Sequence, residues 1–343
     1  RMVNQARLKT NRTRPVWKYG YLVPRNHEEA VMLDERAGNT LWQDAEKLEL
    51  AQLFEYTTFE DQGHSARVPD GYQKIPTHMV YDVKHDGRHK ARMVAGGHRT
   101  ETPVDSVYSG VVSLTGVRLV TFLAEHNQLE LWGTDIGNAY LESYTKEKVC
   151  FTAGPEFGDL HGHLMIIKKA LYGLKSSGAR WHDRLFDSLT DMGFTPSRMD
   201  PDIWMRAQED HYEYIACYVD DLMIASRNPQ GIIDSLESAP NNYKLKGTGP
   251  IKFHLGCDFF RDEDGILCVG PRKYIERMVQ QYEVMFGAKP RGYSSPLMPN
   301  DHPELDTSPL LNDDGIHQYQ SLIGSLQWTI SLGRFDIATA VMT

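Results

Sequence analysis

The sequence predicts an α+β fold in which short antiparallel hairpins alternate with amphipathic helices. Three observations point there. Several stretches carry short apolar strands on either side of a charged or Gly-containing turn, as in "IACYVDDLMIAS" (Ile215 to Ser226). Others place apolar residues at helical spacing, as in "GARWHDRLFDSLTDMGF" with Leu185, Leu189 and Met192. The 343 residues are 41% hydrophobic, enough for two or more packed subdomains.

The first thirty or so residues, basic and Asn-rich, read as a linker or the tail of a preceding region. They lack the apolar stretch of a signal peptide. A helix is expected over Leu41–Tyr56. The stretch His78–Gly97 alternates around His85-Asp86-Gly87 as a hairpin that carries a basic cluster. A helix over Leu114–Gln128 leads into a strand-like run over Leu129–Ser143, and a second clear helix covers Gly178–Phe194. Beyond Ile215–Ser226, a third helix is expected over Asn228–Tyr243, then a hairpin over Ile251–Gly270 turning at Asp264-Gly265. A helix over Arg272–Met285, a Pro-rich linker from Pro290 to Pro309 and a last helix over Gln318–Ile330 complete the order.

Composition excludes several classes. No run approaches the roughly 18 apolar residues of a membrane span, so the chain reads as soluble and intracellular, with no membrane partner. Cys150, Cys217, Cys257 and Cys268 form no CxxC pair, which leaves neither a zinc ribbon nor a disulfide framework. The pairs His85/His89 and His161/His163 lack Cys, Asp or Glu partners at structural-zinc spacing and read as exposed loop histidines. There is no GxxxxGK[ST] loop and no GxSxG element. The aromatics of "EYIACY" and "DPDIW" read as core. The net charge of −9 opposes bulk coating of nucleic acid, although Lys and Arg cluster in "RLKTNRTR", "KHDGRHKARMVAGGHR", "KKALYGLKSSGARWHDR" and "PRKYIERM".

The chemistry gathers at carboxylates. Asp220 and Asp221 stand side by side between two apolar strands, where like charges repel and a partly buried pair wants a proton or a cation. Upstream, Asp135 ends an apolar strand before a Gly-containing bend. Alone it is ordinary strand-end turn chemistry. With the pair it supplies the three carboxylates that hold two cations about 3.5–4 Å apart for in-line phosphoryl transfer. Magnesium suits so oxygen-rich a set, and manganese could replace it.

Here the residues resemble a family. "YVDD" on a hairpin, preceded by "DIGNAY", resembles the two catalytic motifs of reverse transcriptases. The series "KARMVAGG", "YSGVVSLTGVR", "DIGNAYLE", "KKALYGLKSSGARW", "YVDDLMIAS", "FHLG" and "YQSLIGSLQW" resembles, in order, the copia-type long-terminal-repeat retrotransposons. That resemblance implies a right-hand polymerase with an antiparallel palm sheet backed by helices. Its expected divisions are 1–40 as the tail of a preceding polyprotein region, 41–130 as fingers and the start of the palm, and 131–250 as palm with an inserted fingers part. Residues 251–289 become a primer-holding hairpin and thumb, and 290–343 a linker and the start of a connection region.

By position, the resemblance implies that Asp135, Asp220 and Asp221 are the catalytic metal ligands, with the backbone carbonyl of Ile136 as an additional one. Tyr140 matches the aromatic residue beneath the sugar of the incoming nucleotide. Lys84, Lys90 and Arg92 match the element that reaches the triphosphate, Lys175 another nucleotide contact, and Leu255 and Gly256 the hairpin that holds the primer end. The implied activity is RNA-directed DNA synthesis from deoxynucleoside triphosphates on a primed RNA or DNA template, with two magnesium ions. The implied setting is a longer polyprotein with protease and integrase before this region and RNase H after it, inside a cytoplasmic virus-like particle.

Two departures weigh against a simple transfer. Where the family reads Leu-Lys-Gln-x-Pro-Arg-x-Trp, this chain has Ser176, Gly178 and Ala179 while keeping Lys175 and Trp181, with Arg180 as a stand-in for the displaced Arg. "LGRFDIATAV" likewise departs from the family's Thr-Arg-Pro-Asp but keeps Arg334 and Asp336. Another palm polymerase, such as an RNA-dependent RNA polymerase, is disfavoured by "YVDD" and Tyr140. A degenerate or co-opted element that binds nucleic acid without catalysis is the reading from a different class.

Overall fold

The computed structural model describes residues 15–84, 86–101, 103, 107–297, 305 and 307–342. The chain divides into two compact units. One takes the described residues up to Gly110 with Gly137–Gly193 and Pro240–Lys244, and the other takes Val111–Ile136, Phe194–Ala239 and Leu245 onward. Secondary structure is mixed, and among the described residues the strand pairs are antiparallel except the short Gln73–Lys74 pairing with Val149–Cys150.

The first unit begins where a linker was expected. Val16–Lys18 and Tyr21–Val23 pair as a small hairpin, and His27–Ala37 is a helix. Its caps explain it: the Asn26 side chain accepts from the Glu29 N–H, and Gly38 ends the helix at φ 64°, a left-handed conformation that costs glycine little. Asp34, wholly buried, then accepts from the Trp42 and Gln43 N–H groups and caps the next helix, Leu41–Glu55. These cues are present in the sequence, but the surrounding charge hides them. The basic cluster "RLKTNRTR" lies outside the described residues.

That helix packs on the hairpin Thr77–Val83/His89–Ala95. A four-stranded sheet in the order Phe59–His64, His163–Ile167, Val149–Thr152, Gln73–Lys74 contributes to the same core, with Leu53, Phe59, Met93, Phe151 and Met165 among its buried members. The helix Ser177–Asp191 completes the unit, close to its expected bounds.

The second unit is built on a six-stranded antiparallel sheet in the order Thr195–Pro196, Ile203–Ala207, Tyr212–Tyr218, Asp221–Ser226, Glu130–Ile136, Leu245–Pro250. The helix Leu114–His126 packs Val117, Val120 and Ala124 against Tyr214, Ala216, Met223 and Ala225. Ile215, Cys217, Leu222 and Ile224 alternate onto the opposite face and are also buried. Burial on both faces is why these strands read as unbroken apolar runs. The helix Pro229–Glu237 packs on the strands Asp221–Ser226 and Glu130–Ile136 and stops short of its expected end at Tyr243, because Pro240 follows closely and restricts the residue before it.

The expected hairpin over Ile251–Gly270 forms, as Cys257–Arg261 with Leu267–Gly270, and an extra short strand, Phe253–His254, joins it through a tight turn. The helix Arg272–Phe286 follows. The last long helix starts at Asp313, not near Gln318: Asn312 caps it by accepting from Gly315 N–H, and the acidic pair Asp313-Asp314 lies in its first turn. Residues 290–297 of the expected linker form neither helix nor strand, and most of its remainder lies outside the described residues. Among the described residues no helix is long and apolar enough to cross a membrane.

Candidate active site

In the sheet unit, Tyr212–Tyr218 and Asp221–Ser226 form a hairpin whose turn is Val219-Asp220, with Tyr218 opposite Asp221. Val219 sits at φ 59°, a region that β-branched residues avoid, so the turn holds local strain beside the acids. The strand Asp221–Ser226 pairs in turn with Glu130–Ile136, which sets Asp221 directly opposite Asp135. Opposite residues of an antiparallel pair project to the same face with β-carbons about 4.5–5.5 Å apart. The Ile136 N–H donates to the Asp220 carbonyl at 2.8 Å, tying the end of one strand to the turn. The sheet therefore brings Asp135, Ile136, Asp220 and Asp221 together.

Their electrostatics follow from that register. All three carboxylates are half-buried. Burial first, then the charges of Asp220 and Asp135, push the Asp221 carboxyl up to about 6. The donor set is all oxygen, the chemistry a hard divalent cation prefers. Among the described residues, no three His, Cys, Asp or Glu side chains converge in a metal-binding group.

In the other unit, the hairpin Thr77–Val83/His89–Ala95 turns Met79, Tyr81, Val83, Ala91, Met93 and Ala95 into the core. Lys90 pairs with Asp82 and Arg92 with Val80, while the Lys84 N–H donates to the Arg88 carbonyl at the turn. Period-2 alternation puts Lys84, Arg88, Lys90 and Arg92 on the outward face. Lys18 answers Asp82 there at 2.7 Å. The Arg92 guanidinium lies over the Tyr172 ring, 4.8 Å from its centroid, and Tyr172 lies 4.9 Å from the Tyr140 ring. Tyr172 thus joins two predicted nucleotide contacts. The sequence marks its stretch for basic charge and for family resemblance but gives Tyr172 itself no role.

Tyr140 follows a sharp bend. Asn138 takes φ 55°, Ala139–Glu142 forms a single 3-10 turn, and the Ser143 N–H and hydroxyl both donate to the Tyr140 carbonyl. The expected strand over Leu129–Ser143 accordingly ends at Ile136.

The departures near Lys175 have a structural account. Ser176 is buried, and its N–H and hydroxyl both donate to Glu147, at 3.0 and 2.6 Å. It faces inward. Lys175 donates to the Thr100 carbonyl, and Arg180 pairs with Asp183 at 3.5 Å. Glu147 is a second residue that sequence reading missed, since nothing in its own stretch marks it.

In the sheet unit, Leu255 and Gly256 form the turn between Phe253–His254 and Cys257–Arg261, with φ of 47° and 90°. A β-carbon on Gly256 would stand 3.2 Å from Leu332 Cδ1, so the turn is closely backed by the end of the last long helix. His254 beside it is buried, its Nε2 has no hydrogen-bond partner among the described residues, and burial pushes its imidazole down to about 4.

The histidines differ from expectation. His89 is a half-buried strand residue packed edge-on to Trp42 and Tyr21, and His163 is a strand residue paired with Asp61 at 3.0 Å. Only His161 is exposed as expected, and His85 lies outside the described residues. Of the aromatics read as core, Tyr214 and Trp204 are buried, whereas Tyr218 is exposed.

A family model described as reverse transcriptase (RNA-dependent DNA polymerase) matches residues 64–294, two thirds of the chain. The chain is 28% identical over 258 residues to the retrovirus-related Pol polyprotein from transposon RE1 of Arabidopsis thaliana, covering 74% of this chain and 17% of that protein. It is 28% identical over 291 residues to the retrovirus-related Pol polyprotein from transposon TNT 1-94 of Nicotiana tabacum, covering 80% and 22%. With the Transposon Ty1-DR4 Gag-Pol polyprotein of Saccharomyces cerevisiae it shares 26% identity over 309 residues, covering 86% and 19%. It spans about a fifth of the length of these curated relatives. Motif order, site geometry and family match agree that the chain belongs to the reverse transcriptase family, of the copia retrotransposon type.

Proposed function

We propose that this chain is an RNA-directed DNA polymerase, joining deoxynucleoside triphosphates to the 3′-hydroxyl of a primer on an RNA or DNA template. The observation that carries the reading is the register that sets Asp221 opposite Asp135 with Asp220 on the adjoining turn. Reverse transcriptases depend in general on divalent metal, and Asp135, Asp220, Asp221 and the Ile136 carbonyl are the groups that would hold it. Bound there, such ions would acidify the primer hydroxyl and carry the charge of the leaving pyrophosphate.

In this reading the six-stranded sheet with its helices is the palm, and the unit with the basic hairpin supplies fingers. Lys84, Lys90 and Arg92 bind triphosphate oxygens from the outward face of that hairpin. Tyr140, its ring held by Tyr172, excludes a 2′-hydroxyl from the sugar position. Leu255 and Gly256 hold the primer end. Lys175 keeps its ammonium on the Thr100 carbonyl, so we assign it to the support of the nucleotide contacts rather than to direct contact. Partner regions are the integrase and RNase H segments of a longer polyprotein.

Primer extension on poly(rA)/oligo(dT) with magnesium tests the proposal, beside a DNA template and a control without nucleotide. Extension on RNA supports it. The buried, inward-facing Ser176 favours a second reading, a nucleic-acid-binding element without catalysis. Template-primer binding without extension is the result that would establish it.

A further inference from the structure

The hairpin Val16–Lys18/Tyr21–Val23 is built in a way that folding alone does not favour. Its strands meet through the two-residue turn Tyr19-Gly20, with φ of 48° and 86°. Positive φ at both positions is the primed turn that suits the twist of a hairpin, and its favoured first residue is Asn, Asp or Gly. A tyrosine there crowds its own β-carbon against the following carbonyl. Little burial compensates: Tyr19 is 60% exposed, and Trp17, two residues earlier, is 65% exposed. Strain and exposed aromatic rings at one tip point to a contact outside the fold.

This tip is fixed beside a second one. The Lys18 ammonium pairs with Asp82 at 2.7 Å, and the Tyr21 ring packs edge-on to His89 with centroids 4.6 Å apart. Asp82 and His89 flank the turn of the basic hairpin Thr77–Val83/His89–Ala95, so Lys18, Lys84, Arg88 and Lys90 gather where the two tips meet. The acids beside them are Asp82 and Asp86, the latter paired with Arg88 at 2.6 Å. Both ion pairs are exposed and contribute little, so a phosphate can take either cation at small cost. These cations outnumber these acids, which leaves the junction positive on a chain whose net charge is −9.

Rings interleaved with cations, as in Trp17-Lys18-Tyr19, match a ligand that has both flat apolar faces and negative charge. Single-stranded nucleic acid is such a ligand, because its bases stack and its phosphates pair. A second copy of the chain fits less well, since a two-fold contact would oppose the same positive tips. Residues 16–23 also lie outside the span 64–294 matched by the reverse transcriptase model, so the family match does not describe this hairpin.

We propose that the hairpin Val16–Lys18/Tyr21–Val23 is a stacking platform for single-stranded nucleic acid: Trp17 and Tyr19 take unpaired bases, and the cations at the tip take phosphates. Lys18 and Arg88 are the platform's own cations, while Lys84 and Lys90 are shared with the nucleotide contacts proposed above. For its place in the reaction, as a hold on unpaired template, the inference rests on the polymerase reading. The binding itself does not.

The test uses the purified full chain with Tyr19→Asn, Trp17→Thr and the two combined. Tyr19→Asn supplies the favoured turn sequence and should melt at or above wild type, and Trp17→Thr keeps a strand-forming side chain. The probes are fluorescent oligo(dT) and oligo(rU) of about twenty nucleotides, longer than a typical site, and a blunt duplex of equal length, read by anisotropy across a salt series. Each single variant should weaken single-strand binding by about tenfold. The slope against log salt should stay unchanged, because stacking releases no counterions, and blunt-duplex binding should stay as in wild type. Unaltered single-strand affinity in folded Tyr19→Asn and Trp17→Thr proteins overturns the platform, as does an equal loss on the blunt duplex. Wild-type oligonucleotide binding with altered sedimentation of the chain overturns it as well, and gives the face to a second copy. Primer extension separates this inference from the polymerase reading. Preference for a template with a long unpaired overhang, over one ending a base beyond the primer, should be lost in the double variant while the short overhang is extended as before. A retained preference sinks the platform and leaves the polymerase standing. A wild type that fails to extend sinks the polymerase reading, and the oligonucleotide affinities still decide the platform.

Discussion

Asp221 stands directly opposite Asp135 across neighbouring antiparallel strands, with Asp220 one residue away on a turn whose other residue, Val219, is held at φ 59°. Two consequences follow for the protein without metal. The Asp221 carboxyl is pushed up to about 6, so the folded state holds a proton there that the unfolded chain, titrating near 4, has released. Stability from this group is complete below about pH 4 and is lost as pH rises through 6. Asp221→Asn should therefore stabilise the metal-free protein at pH 7 to 8, by about 1–2 kcal/mol once solvent screening of a half-buried group is allowed for. Urea unfolding at pH 7.5 with chelator checks the sign. An equally stable or weaker variant would mean that the trio carries no repulsion.

In the proposed polymerase reaction, substitution of these acids runs the other way. Asp135→Asn and Asp220→Asn should each cut primer extension by about a hundredfold or more, because they remove charge from the groups that would hold metal. Template-primer binding should change little. Asp221→Asn is expected to be the mildest of the three. Near-full extension by clean Asp135→Asn or Asp220→Asn protein would refute the assignment.

These acids show how far the sequence was legible. The apolar flanks of Asp220-Asp221 disclose a hairpin, since local alternation and turn chemistry suffice for that. That Asp135 lies across from Asp221 is a matter of strand register, which the sequence does not display because pairing is set by burial on both sheet faces. The same limit hid Tyr172, whose contacts with Tyr140 and Arg92 join three distant stretches of chain. The misread N-terminal helix has a different cause. Asn26, Glu29 and Gly38 are helix signals, but His27–Ala37 buries only Ala30 and Asp34, so its apolar stripe is too thin to stand out.

Salt dependence tests the basic hairpin. Lys84, Lys90 and Arg92 share one outward face, so if they meet phosphates their joint replacement by Ala should flatten the plot of log affinity for nucleotide or template-primer against log salt. The loss of slope should be about 2 to 3, near 0.9 for each phosphate contact. The acidic net charge does not oppose this, because a local basic face acts within a Debye length of about 10 Å. An unchanged slope would remove the hairpin from the phosphate path.

His254 gives a second pH effect of opposite sign. Its imidazole is pushed down to about 4 by burial, so between about pH 6.5 and 4 the unfolded chain takes a proton that the fold refuses. Stability from this group is present above 6.5 and lost as pH falls toward 4, by about 2–3 kcal/mol at most. Over pH 4 to 6 the Asp221 effect offsets part of it, so the wild-type acid limb should be shallow. Asp221→Asn should steepen that limb, and His254→Leu, which also removes the unpartnered Nε2, should reverse its slope. Unfolding midpoints from pH 4 to 7 for the three proteins decide it. A His254→Leu limb as steep as that of Asp221→Asn would show that another group controls acid stability.

Tyr140 carries the sugar preference in the proposed reaction. It follows Asp135 by five residues, after a bend at Gly137 and Asn138, and its ring is packed against Tyr172 at 4.9 Å. A ring so held cannot yield to a 2′-hydroxyl without disturbing Tyr172 and, through it, the Arg92 guanidinium. Rejection then has two sources, steric overlap and the loss of hydration by an unpaired hydroxyl, the latter about 1–3 kcal/mol. Tyr140→Val should therefore raise UTP incorporation relative to dTTP by about tenfold or more, with a modest loss of melting temperature. Tyr172→Ala, which leaves Tyr140 in place but unsupported, should give a smaller shift in the same direction and weaken dTTP binding as well, because Arg92 loses its platform. A core aromatic of no catalytic consequence would behave differently: both variants would melt earlier and discriminate as wild type does. Single-nucleotide extension with dTTP and UTP beside a melting curve for each variant separates the two, and an unaltered sugar ratio in a folded, active Tyr140→Val protein would remove the gate from the mechanism.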